Sequence, residues 1–253
     1  MNKIALISGA TSGIGRATAL QLAENDYDVI ITGRRNDRLI ALKEEIKGNY
    51  KSDVLCLDFD IRNKNEVYKA IDSLSRKWLN IDVLINNAGL AAGTEPIHEG
   101  DTDNWEKMID TNVKGLLYIS KKIMPLMVER KKGHIVNIGS VAGKEVYLNG
   151  NVYCGSKHAV DAITKSMRID LLPYNIRVTQ IAPGAVETEF SIVRFNGDKE
   201  KAKSVYAGYE PLIANDIADS VIYVVTRPAH VNINDMLIMP TAQANTSHFN
   251  KKL

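Results

Sequence analysis

The chain has 253 residues, of which 45% are hydrophobic and 25% are charged, and its formal net charge is +2. This composition is typical of a globular protein, and the charge gives no general attraction to nucleic acid. The two cysteines, Cys56 and Cys154, are too few for a disulfide framework, and their neighbours have no metal-ligand spacing. Without a signal-like or membrane-spanning apolar run, the sequence predicts a cytoplasmic protein with no metal, nucleic-acid or membrane site.

Short apolar runs alternate with helical patterns along most of the chain. The predicted strands cover 4–7, 29–31, 54–57, 81–85, 134–138, 176–181 and 237–239. The predicted helices begin at Gly13 and then cover 38–47, 63–77, 104–130, 152–172 and 215–226, with a kink at Pro125. Buried strands that alternate with helices indicate an α/β fold, a Rossmann-type doubly wound parallel sheet of about seven strands. We expect a single domain over 1–253, with a small helical substrate lid at about 186–212, called the lid segment.

A glycine-rich turn follows the first predicted strand and opens the first helix. Glycine lets the backbone approach a pyrophosphate closely, and the helix N-terminus offers free N–H groups to it. The spacing GxxxGxG differs from the GxGxxG fingerprint, so the position between strand and helix carries the prediction. The residues that we expect to bind a cofactor here are Gly9, Thr11, Ser12, Gly13, Ile14 and Gly15. A glycine turn needed only for packing is the alternative.

The end of the second strand indicates which dinucleotide binds. An acidic residue there would accept hydrogen bonds from a ribose diol, whereas arginine favours a 2′-phosphate. The strand ends at Arg34 and Arg35, so NADP(H) is favoured over NAD(H), the alternative being two solvated cations. Asp60 and Ile61 follow the third strand and are candidates for an adenine contact. The fourth strand ends at the same edge of the sheet, where we expect further cofactor contacts from Asn87, Ala88 and Gly89.

Tyr153 and Lys157 lie four residues apart in a predicted helix, so both side chains can point at one reacting centre. A nearby cation lowers the pKa of a phenol and makes it a better proton shuttle. The pair alone is weak evidence for catalysis, because a tyrosine packed on the core and a lysine in solvent give the same pattern. Ser140 follows the fifth strand and is placed to hold a substrate oxygen against the phenol. Asn112 lies inside a predicted helix, where its side chain competes with helical hydrogen bonding.

Several motifs together resemble the short-chain dehydrogenases/reductases over nearly the whole chain. The matching elements are TSGIG at 11–15, NNAG at 86–89, TNVKG around Asn112, IGSVAG around Ser140, YCGSK at 153–157, and Pro183-Gly184 with Thr188. The resemblance implies hydride transfer between a nicotinamide and an alcohol carbon, with Tyr153 as base in oxidation and acid in reduction. It implies that Lys157 also binds the nicotinamide ribose and that Asn112 helps to hold a water in a proton relay. On the nicotinamide side it implies contacts from Pro183, Gly184, Val186 and Thr188, besides Tyr153 and Lys157.

The stretch at 188–198 and the C-terminal stretches at 228–234 and 239–241 resemble the NADP-dependent 3-hydroxy acid dehydrogenases more closely. This group includes serine or L-allo-threonine dehydrogenases and malonic semialdehyde reductases, and the resemblance implies the same class of substrate. A hydroxy acid carries a carboxylate that a guanidinium can bind bidentately, so Arg194 joins Ser140 and Tyr153 as a candidate substrate contact. The alternative for Arg194 is a surface position on a mobile helix. Ser191 and Gln243 are weaker candidates for polar walls of the pocket.

Two other functions remain open on the sequence. One is a short-chain reductase of another carbonyl compound, such as a 3-oxoacyl thioester or a sugar. The other is a regulator that binds NADP(H) without catalysis, although such a protein has no need of Ser140, Tyr153, Lys157 and Asn112 together. The family resemblance also implies a tetramer or dimer joined through the long helices predicted at 104–130 and 152–172, and we predict a homotetramer.

Overall fold

The computed structural model describes residues 2–252, which form nine strands and nine α-helices. The strands are β1 (Lys3–Ile7), β2 (Tyr27–Gly33), β3 (Val54–Asp58), β4 (Ile81–Asn86), β5 (Gly133–Ile138), β6 (Ile176–Pro183), β7 (Val186–Glu187), β8 (Leu212–Ile213) and β9 (Asp235–Ile238). The helices are α1 (Gly13–Glu24), α2 (Asn36–Asn49), α3 (Lys64–Asp72), α4 (Thr102–Ile109), α5 (Leu116–Arg130), α6 (Asn151–Leu171), α7 (Glu189–Arg194), α8 (Lys199–Ser204) and α9 (Ala214–Val225). Within this range, no helix has the length and apolar character needed to cross a membrane.

Seven strands form one parallel sheet in the order β3-β2-β1-β4-β5-β6-β9. This arrangement confirms the predicted doubly wound fold. The chain builds outward from β1 to β3 and then returns to place β4 on the other side of β1. In open α/β sheets, ligands bind beyond the carboxyl ends of the strands at such a reversal. The fold therefore places a binding crevice above β1 and β4, where the glycine turn begins.

Both faces of the sheet are buried. Along β1, Ala5 and Ile7 join one apolar core, while Ile4 and Leu6 join the other. Successive side chains of a strand point to opposite faces, so a strand covered on both sides is apolar at most positions. Helices α1, α2 and α9 contribute to the first core, and α3, α5 and α6 contribute to the second. This explains why the strands read as continuous apolar runs in the sequence.

Two predicted helices have different bounds in the structure. The helix expected at 63–77 ends at Asp72 and is followed by a short 3-10 turn, Arg76–Leu79. The helix expected at 104–130 consists of α4 and α5, joined by a π-helical segment, Asp110–Gly115. Helix α5 continues through Pro125 to Arg130, and the kink expected at Pro125 stays a prediction. Asn112 in this segment bonds to groups outside the helix, as described below.

A buried histidine makes the stability of this fold depend on pH. His134 on β5 is 1% exposed, and its Nε2 lies 2.8 Å from the Thr179 hydroxyl on β6. Burial, with a smaller contribution from the Arg177 charge, lowers the pKa of His134 to about 3. The unfolded chain binds a proton near pH 6.5, whereas the folded chain does not. The contribution of His134 to stability is thus fully present above about pH 6.5 and is lost as the pH falls towards 3.

We predict that His134→Gln, which keeps a polar partner for Thr179, removes this pH dependence. Relative to the variant, the wild-type free energy of unfolding should fall by about 1.4 kcal/mol per pH unit between pH 6 and pH 4. Urea unfolding of both proteins across this range measures the difference. A difference that stays constant with pH would contradict the assignment.

Candidate active site

One cavity of about 680 Å³ lies at the carboxyl edge of the sheet. Its walls come from the glycine turn, the segments that follow β2 to β6, the start of α6 and the lid segment. Nearly all the predicted site residues line it, namely Gly9, Thr11, Ser12, Gly13, Ile14, Arg34, Arg35, Asp60, Ile61, Asn87, Ala88, Gly89, Ser140, Tyr153, Lys157, Pro183, Gly184, Val186, Thr188, Ser191, Arg194 and Gln243. Gly15 and Asn112 were also predicted, but they lie behind the walls.

The glycine turn is held against the end of β4. The side-chain amide of Asn87 donates to the carbonyl oxygens of Ser8 and Gly9, at 3.0 and 3.1 Å. Gly9 has a φ of 68°, a left-handed conformation that glycine adopts easily. At Gly15, a Cβ atom would lie 2.4 Å from both the Gly9 carbonyl oxygen and the Asn87 amide nitrogen. Gly15 therefore lets the helix pack beneath the turn, and its direct contact with a cofactor stays a prediction.

Arginines form the far end of the cavity, as the sequence predicted. The guanidinium of Arg35 donates to the Thr11 hydroxyl, with Nη2 at 2.8 Å, and to the Ser12 hydroxyl at 3.0 Å. Arg34 is more exposed, and its Nη1 lies 3.7 Å from a carboxylate oxygen of Asp60. Two cations and two hydroxyl groups thus surround one corner of the cavity, which is a donor set suited to a phosphate group.

Asp60 and Ile61, the candidates for an adenine contact, occupy the wall next to these arginines. The Asp60 carboxylate accepts hydrogen bonds from the backbone N–H and the guanidinium Nε of Arg62, both at 3.0 Å. Burial alone would raise the pKa of Asp60, but these hydrogen bonds hold it below its usual value. A Cβ atom at Gly115 would lie 3.0 Å from the Ile61 side chain, so the π-helical segment packs directly behind Ile61.

Tyr153 and Lys157 both lie on the inner face of α6. The Lys157 ammonium donates to the carbonyl oxygen of Ile138 at 3.0 Å, and burial lowers its pKa to about 8. Burial also raises the pKa of the Tyr153 phenol, and Tyr147 adds to this effect, while Ser140 and the charge of Arg194 oppose it. The expectation that Lys157 lowers the phenol pKa is therefore wrong for this structure. The Lys157 ammonium points to the end of β5. Desolvation raises the pKa of the phenol by more than Ser140 and Arg194 lower it.

Asn112 connects its own π-helical segment to the loop after β4 and to α6, close to Tyr153 and Lys157. Its Oδ1 accepts from the Leu90 N–H at 2.8 Å, and its Nδ2 donates to the Leu90 carbonyl at 2.8 Å and to the Ser156 hydroxyl at 2.9 Å. Ser156 in turn donates to the Tyr153 carbonyl at 2.7 Å. A Cβ atom at Gly89 would lie 3.2 Å from Asn112 Oδ1 and 3.5 Å from Lys157 Nζ. Asn112 thus ties the end of β4 to α6 from behind the cavity wall, and its part in a water relay stays a prediction.

Comparisons with known proteins agree with this site. A family model described as short chain dehydrogenase matches residues 3–198. The chain belongs to the short chain dehydrogenase family. It is 48% identical over 242 residues to the NADP-dependent 3-hydroxy acid dehydrogenase YdfG of Salmonella typhi, covering 95% of this chain and 96% of that protein. It is 39% identical over 251 residues to the NADP-dependent 3-hydroxy acid dehydrogenase of Schizosaccharomyces pombe, covering 99% and 97%.

Among solved structures, the fold is similar to the closed form of serine dehydrogenase complexed with NADP⁺. The TM-score is 0.93 at 43% sequence identity, over 99% of this chain and 100% of that chain. The similarity thus extends beyond the family model into the lid segment and the C-terminal region. In this protein, residues of both regions line the cavity.

The lid segment brings Arg194 to the side of the cavity that faces Tyr153. Its guanidinium lies 5.5 Å from the centre of the Tyr147 ring, at a distance typical of a cation–π contact. Among residues 2–252, no carboxylate lies within ion-pair distance of Arg194, and its buried Nε has no hydrogen-bond partner. The Phe190 ring packs 5.7 Å from the ring of Tyr153. A basic group with unused donors therefore lies next to the phenol.

The two weaker candidates for the pocket wall are held by other protein groups. The Ser191 hydroxyl lies 2.6 Å from the Tyr206 hydroxyl. Gln243 accepts from the Ala185 N–H at 2.8 Å and donates to the Asn245 carbonyl at 3.1 Å. Both residues line the cavity, but their polar groups fix the lid segment and the loop after β6. Tyr147 and Phe190 were missed by the sequence analysis, because nothing in their spacing separates them from ordinary aromatic residues.

We predict that Gly15→Ala lowers the free energy of unfolding by about 1–3 kcal/mol, because the added methyl group overlaps the Gly9 backbone. Gly155 on α6 is a matched control, since no atom lies within 4 Å of a Cβ placed there. Gly155→Ala should stabilise the helix by about 0.5–1 kcal/mol. Chemical denaturation of both variants tests the pair, and equal effects would refute the packing role of Gly15.

Proposed function

We propose that this chain is an NADP-dependent oxidoreductase of small 3-hydroxy acids. The substrate class is L-serine, L-allo-threonine and the pair 3-hydroxypropionate and malonic semialdehyde, with the reacting group at the 3-hydroxyl or 3-oxo carbon. The observation that carries the proposal is one cavity with arginines at one end, Tyr153 and Ser140 in the middle, and Arg194 without an ion-pair partner near them. The names of the relatives support the same substrate class.

The residues of the cavity fit a nicotinamide dinucleotide. Gly9 has a left-handed φ of 68°, and a glycine at this turn lets the backbone come close to the pyrophosphate. Arg34 and Arg35, with the hydroxyl groups of Thr11 and Ser12, would hold the 2′-phosphate that distinguishes NADP from NAD. The other proposed contacts are Asp60 and Ile61 with adenine, Asn87, Ala88 and Gly89 along the strand ends, Tyr153 and Lys157 with the ribose, and Pro183, Gly184, Val186 and Thr188 near the nicotinamide. When bound, this group supplies or accepts the hydride.

The side chains of the protein handle the proton. In reduction, the Tyr153 phenol donates its proton to the substrate oxygen, and the Ser140 hydroxyl holds the same oxygen in place. Burial raises the pKa of Tyr153, which keeps the phenol protonated and favours this direction. Lys157 has a pKa of about 8, so it can return a proton to the phenol at near-neutral pH. Asn112 acts as a positioning residue that fixes α6 against the end of β4.

Turnover separates this proposal from its alternatives. We expect NADPH absorbance to fall with malonic semialdehyde, and NADP⁺ to be reduced with L-serine or 3-hydroxypropionate. Turnover of acyl thioesters without turnover of any hydroxy acid would favour a reductase of another carbonyl substrate. Tight NADPH binding with no turnover of either would favour a regulator.

We predict that Arg194→Met raises KM for a hydroxy acid by about tenfold to a hundredfold, because a charge-assisted pair with the substrate carboxylate is lost. The KM for an uncharged alcohol of similar size should change little. Lys201→Met is the matched control, since it removes an exposed cation of the lid segment that does not line the cavity. Equal effects of Arg194→Met on the acid and the alcohol would rule out a carboxylate contact.

We also propose that the protein is a cytoplasmic homotetramer. The outer faces of the long helices carry large apolar side chains, with Leu117 on α5 39% exposed and Ile169 on α6 72% exposed. If they form one contiguous patch in the assembled protein, such exposed apolar side chains suit a subunit interface. Cys56 and Cys154 are free thiols, which suits a reducing compartment. A monomeric profile in sedimentation velocity would refute the tetramer.

A further inference from the structure

A carboxylate of the lid segment is bound to the arginines beside the proposed phosphate site. Glu189 is the first residue of α7. Its two carboxylate oxygens accept from Arg35 Nη1 at 2.9 Å and from Arg38 Nη1 at 2.6 Å. Both arginines belong to the start of α2, Arg35 as the residue that precedes it and Arg38 in its first turn. The lid segment is thus attached at this point to the part of the chain that would hold the cofactor.

The guanidinium of Arg35 has contacts on two sides. Its Nη1 donates to Glu189, while its Nε and Nη2 face the hydroxyl groups of Thr11 and Ser12. The second side is the corner assigned above to the 2′-phosphate. A phosphate carries about two negative charges and competes with a carboxylate for the same guanidinium. Arg38 donates to the other oxygen of Glu189, so it can hold the carboxylate when Arg35 turns towards a phosphate.

Helix α7 connects this contact with the substrate side of the cavity. The helix has six residues, begins at Glu189 and ends at Arg194. With a rise of about 1.5 Å per residue, the two side chains start roughly 7.5 Å apart along the axis. Phe190, between them, packs on the Tyr153 ring. A displacement of Glu189 therefore moves the residue that we propose for the substrate carboxylate.

We propose that Glu189 and Arg38 are positioning residues that couple the 2′-phosphate site to the substrate site. Glu189 holds α7 in place, and Arg38 keeps it there while Arg35 is shared with the phosphate. This inference rests on the proposed function for its substrate. The three side chains are 39% to 41% exposed, and ion pairs at such positions contribute only about 0–1 kcal/mol each. Variants of this contact should consequently fold and differ mainly in substrate binding.

Glu189→Gln tests whether the contact of Glu189 with Arg35 and Arg38 holds α7 in place. We expect KM for the hydroxy acid to rise about three- to fivefold with both NADP⁺ and NAD⁺, with a smaller change in kcat. Glu45→Gln is the matched control, because Glu45 pairs with Arg16 at similar exposure and neither residue lines the cavity. The control should keep the wild-type KM. An unchanged KM in Glu189→Gln, or the same rise in both variants, would overturn the proposal.

Arg38→Met tests the coupling. With NADP⁺ the hydroxy acid KM should rise as in Glu189→Gln, because the phosphate and Glu189 then compete for Arg35 alone. With NAD⁺ it should stay within about twofold of the wild type, because Arg35 still binds Glu189. A rise of equal size with both cofactors would show a merely structural role and would contradict the coupling.

Hydrogen–deuterium exchange provides a readout that does not depend on turnover. In Arg38→Met, adenosine 2′,5′-bisphosphate should increase exchange at 189–194, whereas AMP should not, and the wild type should keep its protection with both. Identical exchange in all four samples would overturn the coupling. If the wild type shows no turnover of hydroxy acids, the proposed function fails. The exchange measurement still decides whether a 2′-phosphate acts on α7 through Arg35 and Glu189.

Discussion

The burial of one ammonium group, that of Lys157, is the constraint on which the site depends. A buried cation is costly unless it is hydrogen-bonded, and here it donates to the last residue of β5. Two glycines, Gly143 and Gly89, pack close to Lys157. A Cβ atom at Gly143 would lie 2.6 Å from the Lys157 carbonyl oxygen, and one at Gly89 would lie 3.5 Å from its Nζ. Asn112 fills the remaining space and bonds the neighbouring backbone and Ser156.

This arrangement gives the two members of the pair different properties. The pKa of Lys157 falls to about 8 on burial, whereas that of Tyr153 rises. Under the proposed function, the protonated phenol would deliver a proton to the carbonyl oxygen, and Lys157 would return a proton to the phenol. The other end of the cavity is assembled by the lid segment, which is attached through Glu189 to the arginines at the start of α2. Under the proposed function, cofactor recognition and substrate recognition would meet in one short helix, α7.

Much of the fold and of the candidate site could be predicted from the sequence. Continuous apolar runs identified the strands, because both faces of a parallel sheet are buried, and the motifs placed Tyr153, Ser140 and the arginines at one edge. The contacts of Asn112 in the break between α4 and α5 could not be predicted, since they are made with residues distant in sequence. The packing role of Gly15 depends on the approach of Asn87 from another strand. The pKa of Tyr153 was misjudged because burial is a property of the assembled cavity and not of the spacing of two residues.

The most direct test of the central claim is the rate of NADPH oxidation by malonic semialdehyde in the wild type and in Tyr153→Phe. Removal of the proton donor should lower kcat by about 10²- to 10⁴-fold. The Kd for NADPH, measured by the fluorescence of NADPH, should stay within a few fold of the wild-type value, because Arg34 and Arg35 are unchanged. A variant that binds NADPH and retains the wild-type rate would contradict the assignment of Tyr153 as the group that delivers the proton.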